Sequence, residues 1–115
     1  MTNHMANTNK NRKMQTLTGR QKKQLRALGH HLSPVVYVGK EGISKTVIKA
    51  IGDAIIVHEL IKVKLGQNCP LEKKEAAEAL ADKSDTILVQ LIGKTVLLYL
   101  RNPDLPSEKQ IKLSA

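Results

Sequence analysis

Between residues 35 and 65 the spacing of apolar side chains changes twice, and that pattern restricts the fold more than any other feature of the chain. Val35-Val36-Tyr37-Val38 is a short β-branched run suited to a strand. Val47, Ile48, Ile51, Ala54 and Ile55 then recur at helical spacing, with Ser44 placed to cap the helix. From Leu60 to Leu65 the period becomes two, with Ile61, Val63 and Leu65 on one side and Lys62 and Lys64 on the other. A strand, a helix and a half-exposed strand in succession favour a parallel crossover in an α/β (α+β) domain.

The flanking segments extend this unit. Thr18 and Gln21 have the spacing of a capping box, and Leu25, Leu28 and Leu32 form one apolar stripe on a first helix. Arg20, Lys22, Lys23 and Arg26 project from its other side, and the helix must end before Pro34. After a turn at Gly66 to Asn68, Pro70 suits the first position of a third helix over 71–82, rich in Ala and Glu. Two strongly apolar strands, 86–92 and 95–101, are joined by Gly93-Lys94, which has glycine first, as a type II′ hairpin requires. They read as interior strands.

The expected order is α-β-α-β-α-β-β, a single compact domain with a four-stranded mixed sheet packed with helices. It spans 17–101, between a flexible basic tail at 1–16 and a loosely ordered C-terminal tail at 102–115. The chain has two tyrosines and neither Phe nor Trp, so the core is aliphatic.

Charge narrows the function. The formal net charge is +9, from 19 basic and 10 acidic side chains. Residues 1–40 hold eight of the bases (Lys10, Arg12, Lys13, Arg20, Lys22, Lys23, Arg26 and Lys40) and no acid. Such asymmetry points to a polyanion, either nucleic acid or an anionic membrane surface. No apolar run approaches the roughly 18 residues of a membrane span, and the N-terminal residues carry no apolar core of a secretory signal. A single cysteine, Cys69, excludes an intrachain disulfide and a zinc ribbon, fits a reducing cytosol, and reads as a small packed side chain.

No residue set nominates a catalytic site, a metal or a cofactor. Gly93-Lys94-Thr95 resembles the end of a phosphate-binding P-loop, but Leu88 stands where the first glycine belongs and a strand follows instead of a helix. His30 and His31 are neighbours, so on a helix they do not face a common ligand, and His58 has no partner nucleophile.

The loop Gly39-Lys40-Glu41-Gly42 is the sharper feature. Its glycines allow a tight turn without blocking side chains, and it opens into a helix N-terminus whose free amides favour an anion. GxxG loops of this kind clamp the nucleic-acid backbone in KH domains. Lys40 is the loop's cation, while Glu41 departs from an ideal phosphate clamp.

Leu17-Thr18-Gly19-Arg20-Gln21, Leu25-Arg26-Ala27-Leu28, Val38-Gly39-Lys40-Glu41-Gly42-Ile43, Glu59-Leu60-Ile61-Lys62-Val63-Lys64 and Val96-Leu97-Leu98-Tyr99-Leu100-Arg101 occur in that order. Together they closely resemble the YhbY-like, or CRM (chloroplast RNA splicing and ribosome maturation), RNA-binding domain. The resemblance implies a four-stranded sheet similar to the C-terminal domain of bacterial translation initiation factor three. It further implies RNA as partner, and for a free-standing bacterial type, precursors of the large ribosomal subunit in the cytoplasm; plant relatives act in group II intron splicing.

On that resemblance Gly39, Lys40, Glu41 and Gly42 form the RNA-binding loop, with Arg20, Lys22, Lys23 and Arg26 as the adjoining surface. Lys62, Lys64 and Arg101 join them only if their sheet face is contiguous with that patch. With two tyrosines, both expected to pack beside the sheet, structured RNA recognised by shape is the expectation. The protein is expected to be a monomer with no small-molecule substrate and no membrane partner. A general RNA chaperone or a splicing-type RNA-binding module, or less favourably a basic membrane or protein-interaction module, is the alternative.

Overall fold

In a computed structural model of the protein, the residues described are 16–114. All but the last residue of the expected N-terminal tail, with its bases Lys10, Arg12 and Lys13, lies outside them. The elements are α1 (Gly19–Gly29), β1 (Pro34–Val38), α2 (Lys45–His58), β2 (Leu60–Leu65), α3 (Lys73–Ser84), β3 (Ile87–Ile92) and β4 (Thr95–Tyr99), followed by a 3-10 turn (Ser107–Lys109). This is the expected α+β order and a mixed four-stranded sheet.

The sheet order is β1-β2-β4-β3, with β1 and β2 parallel and the other two pairs antiparallel. The hairpin strands, both expected to be interior, therefore differ: β4 is central, whereas β3 is an edge with Ile92 62% exposed. Gly93 has φ +57 and Lys94 does not take positive φ, which fits the expected hairpin turn.

Period two in each strand sorts side chains between two cores. Val36 and Val38, Ile61, Val63 and Leu65, and Val96 and Leu98 face α2 and α3, where they meet Ile51, Ile55, Ala76, Ala77 and Leu80. Cys69 packs against this core, as a small apolar side chain would. The opposite face carries Leu60, Val89, Leu97 and Tyr99, covered by Leu17 and Leu25 from the α1 segment and by Ile111 and Leu113 from the C-terminal segment.

Helix caps account for most of the boundaries. Thr18 and Gln21 form the expected capping box, and the Ser44 hydroxyl accepts from the Val47 amide at 3.2 Å. The third helix begins at Lys73 rather than near Pro70, because the Glu72 carboxylate accepts from the amides of Lys74 and Glu75. Those two hydrogen bonds hold its carboxyl below the usual carboxylate range.

The expected stripe on α1 is also shorter than its leucines suggested. Leu25 is fully buried, but Leu28 is 43% exposed and Leu32 lies past the helix end. α1 also approaches the sheet closely at Gly29, where a Cβ would stand 2.7 Å from both terminal methyls of Leu97.

The segment after β4, expected to be loosely ordered, is tied across the α1 face of the sheet. Glu59 caps α2 with φ 63 and is 1% exposed, and its carboxylate accepts from the amides of Asn102 and Ile111. Asn102 donates to the Ile56 carbonyl, Gln24 donates to the Lys112 carbonyl and accepts from the Ser114 amide, and Gln21 donates to the Ser114 carbonyl. Local periodicity carries no sign of this strap, because its partners stand 43 and 52 residues away from Glu59.

Candidate nucleic-acid interface

β1, β2 and β3 all run toward one end of the sheet, and β4 starts there. The loop after β1, the turn after β2 and the β3–β4 hairpin therefore gather at that end, the usual place for ligands in sheets of this kind. Backbone bonds stitch them together: the Gly66 amide donates to the Val38 carbonyl and the Leu65 amide to the Lys94 carbonyl, both at 2.8 Å. Gly66 suits this contact because a Cβ there would come 3.1 Å from the Val38 carbonyl oxygen.

The Gly39–Gly42 loop is a tight turn closed by the Gly42 amide on the Gly39 carbonyl at 3.0 Å. Lys40 and Glu41 are exposed at its tip, and Gly42 turns the chain into α2 with φ +69, which glycine adopts without strain. The cap of α2 is a neutral hydroxyl, its first turn holds no acid, and it begins with the exposed Lys45. Its N-terminal partial charge is thus left for an outside anion. The N-terminus of α3, at the same end, is already occupied by the Glu72 carboxylate. Glu41 lines a depression on the α3 side with Gly42, Glu75 and Lys83, so carboxylates bound the basic area there.

The remaining sequence-selected residues divide into two groups. Arg20, Lys22 and Lys23 are exposed on α1, and the half-buried Arg26 continues their row toward His30 at the helix C-cap. Arg26, His30 and Lys62 line one groove with Gln90, Ile92, Thr95 and Leu97. Lys64 lies one pleat further along β2, paired with Tyr37 on one side and Thr95 on the other. Lys62 and Lys64 are thus contiguous with the basic face of α1. Arg101 is not: it follows β4 at the opposite end of the sheet, where the preceding Leu100 amide bonds the Glu59 carbonyl.

Tyr99 packs as expected, but Tyr37 is 66% exposed. α1 and the strap cover only the half of the sheet around Leu60, Leu97 and Tyr99, so the loop-end half of β1 stays open. Sequence reasoning did not select Lys45, Lys94, His30 or Gln90 for RNA binding; it weighed Lys94 only in a rejected P-loop and a hairpin turn, and His30 only in a rejected metal pair. The position of Lys45 in the first turn of α2 was the one available signal, and the other three are joined to the site only by strand pairing and helix docking.

Residues 17–100 match the CRS1 / YhbY (CRM) domain family. The chain belongs to that family. It is 46% identical over 97 residues to "Probable RNA-binding protein YqeI" of Bacillus subtilis, covering 84% of this chain and 98% of that protein. It is 38% identical over 86 residues to the Haemophilus influenzae "RNA-binding protein", covering 75% and 87%. The solution structure of the Staphylococcus aureus protein SAV1595 superposes with a TM-score of 0.69 at 38% identity, covering 86% of this chain and all of that one.

These CRM relatives are named as RNA-binding proteins and not as enzymes. Among the described residues no group of three or more His, Cys, Asp or Glu could hold a metal ion, and no helix is long and apolar enough to cross a membrane.

Proposed function

We propose that this CRM protein binds RNA, and specifically ribosomal RNA in precursors of the large ribosomal subunit, as a cytoplasmic, monomeric assembly factor. The observation that carries RNA binding is the glycine loop delivering its chain into an uncapped-by-acid helix N-terminus beside a run of cations that are unpaired among the described residues. Loop amides and Lys40 hold one or two phosphates, assisted by Lys45 in the first turn of α2. Arg20, Lys22, Lys23 and Arg26 track the neighbouring backbone, with Lys62 and Lys64 extending the track over the sheet. Glu41 stays on the α3 flank, and Arg101 is too far around the sheet to contribute.

Binding of this kind is mostly electrostatic. With about four to six phosphates neutralised, log K falls against log salt with a slope of roughly −3 to −5. Lys40→Asp, and separately Lys23→Glu, should weaken binding to a large-subunit ribosomal RNA fragment by about tenfold or more while leaving the melting curve unchanged. Unaltered binding by both variants rejects the interface. Crosslinking in cells tests the target: reads clustered in large-subunit ribosomal RNA support the assembly role, and scatter over unrelated transcripts favours a general RNA chaperone.

A further inference from the structure

The groove beside α1 has a composition that a simple phosphate track does not need. Its floor is apolar, formed by Leu97 and Ile92, and Gly29 contributes no side chain to its wall. Its rim carries the Arg26 guanidinium, the Lys62 ammonium and the His30 imidazole, together with the Gln90 amide and the Thr95 hydroxyl. No carboxylate among the described residues lines it. Among the described residues, the side chains of Arg26, Lys62, Gln90 and Thr95 have no hydrogen-bond or ion-pair partner in the protein.

Gln90 owes its position to an irregularity in β3. The register shifts between Leu88 and Gln90, so that Gln90 pairs with Leu97 and lies on the α1 face although Val89, its neighbour, also packs on that side. A bulge that re-aims one side chain in this way is a common feature next to binding sites. Here it points an amide, which both donates and accepts, into a recess with cations around it. An apolar floor, a bifunctional amide and flanking cations together suit a planar heterocycle attached to a phosphate.

The open half of the sheet extends the recess. Tyr37 lies on the same face, across β2 from Thr95, with Lys64 between them. Two inter-strand spacings separate it from the groove, roughly 10 Å. That span fits successive nucleotides of one strand crossing the sheet from the Tyr37 ring, over Lys64 and Lys62, into the groove. The paired bases of a duplex have their faces stacked internally, and an A-form helix presents no base face to such a floor.

We infer that the Arg26–Lys62–Gln90 groove and Tyr37 form a subsite for unpaired nucleotides, so that the RNA bound is a folded one presenting a single-stranded stretch beside the helix held by the loop. This inference rests on RNA binding as proposed above and adds the strand state of the ligand. In it Gln90 contacts the edge of one base, Leu97 and Ile92 support its face, Arg26 and Lys62 neutralise the adjacent phosphates, and Tyr37 stacks on a neighbouring base.

The test compares two fluorescent RNA hairpins at one salt concentration, one blunt and one carrying a short unpaired 3′ flank, by anisotropy. The wild-type protein should bind the flanked hairpin about tenfold more tightly than the blunt one. Gln90→Leu and Tyr37→Ala should each remove about five- to tenfold of affinity for the flanked hairpin, the range expected for one lost base contact or stack. Both should leave blunt-hairpin binding unchanged. Tyr37→Ala guards against misfolding, since that ring is mostly exposed.

Equal affinities of the wild-type protein for the two RNAs overturn the inference, as do variants that weaken both hairpins alike. Competition by free adenosine or uridine monophosphate as effective as the flank also overturns it, in favour of a mononucleotide pocket. Loss of all binding by the wild-type protein is a different result, since it refutes RNA binding itself, whereas blunt binding without a flank preference refutes only the subsite.

Discussion

Glu59→Ala is the most informative single change to the fold, because one carboxylate holds the C-terminal strap at two points, Asn102 and Ile111. It accepts from the Asn102 amide and, at 2.7 Å, from the Ile111 amide, while its own backbone occupies the left-handed region at φ 63. Each amide-to-carboxylate bond is worth about 1.5–3 kcal/mol. Truncation also removes the desolvation cost of a buried carboxylate, so the two bonds do not count in full.

If the strap detaches, its amides regain water, and the cost becomes the partial burial of Ile111 and Leu113, about 2 kcal/mol. The lower of the two routes governs, which gives a loss of about 2 kcal/mol. For a domain of this size that lowers the Tm by roughly 8–16 °C, at about 4–8 °C per kcal/mol.

Glu59→Gly separates side chain from backbone. It loses the same hydrogen bonds but relieves the left-handed conformation, so it should be about 1 kcal/mol more stable than Glu59→Ala. Thermal melts by circular dichroism, with hydrogen exchange at the Asn102 and Ile111 amides, read both effects. A Glu59→Ala protein melting within about 3 °C of wild type, or unchanged exchange at those amides, would refute the strap as a stabilising element. A Glu59→Gly protein no better than the alanine variant would refute the backbone argument.

Two further outcomes follow from local geometry. Gly42→Ala forces a side chain onto φ +69 and brings its Cβ 3.4 Å from Pro70, so a loss of about 1–2 kcal/mol in chemical denaturation and weaker RNA binding are expected; an alanine variant as stable as wild type would show that the loop relaxes to another turn. Burial, reinforced by the Glu59 charge and opposed by Arg101, pushes the Tyr99 hydroxyl up from 10.0 to about 12. The unfolded chain therefore releases this proton first, so the contribution is complete below pH 10 and is lost as pH rises toward about 12; a pH-dependent melt showing no loss across that window, or tyrosinate absorbance complete near pH 10, would contradict it.

Elements whose cause lies within a few residues were legible in the sequence. The capping box of Thr18 and Gln21, the Ser44 cap, the period-two face of β2 and the glycine-first hairpin each depend on contacts within about one turn or one pleat, and each is present. The leucine stripe of α1 shows the limit of that approach. Spacing predicted three packed leucines, but only Leu25 is buried, because Gly29 lets the helix seat on Leu97 and the chain leaves the helix before Leu32.

The candidate site was split in the same way. The charge excess before residue 41 and the Gly39–Gly42 loop are properties of the sequence, as is the anion-favouring start of α2 that follows. Which cations adjoin that loop is a property of strand order: insertion of β4 between β2 and β3 sets Lys62 beside Arg26 and Gln90, and carries Arg101 to the far end. The exposure of Tyr37 and the role of Glu59 likewise depend on what α1 and the strap cover. Local periodicity determines which face of an element is apolar, but the partner of that face is chosen by packing between residues far apart in the chain. For this protein the sequence therefore determined the elements and the charge, and tertiary structure decided which charges share a surface.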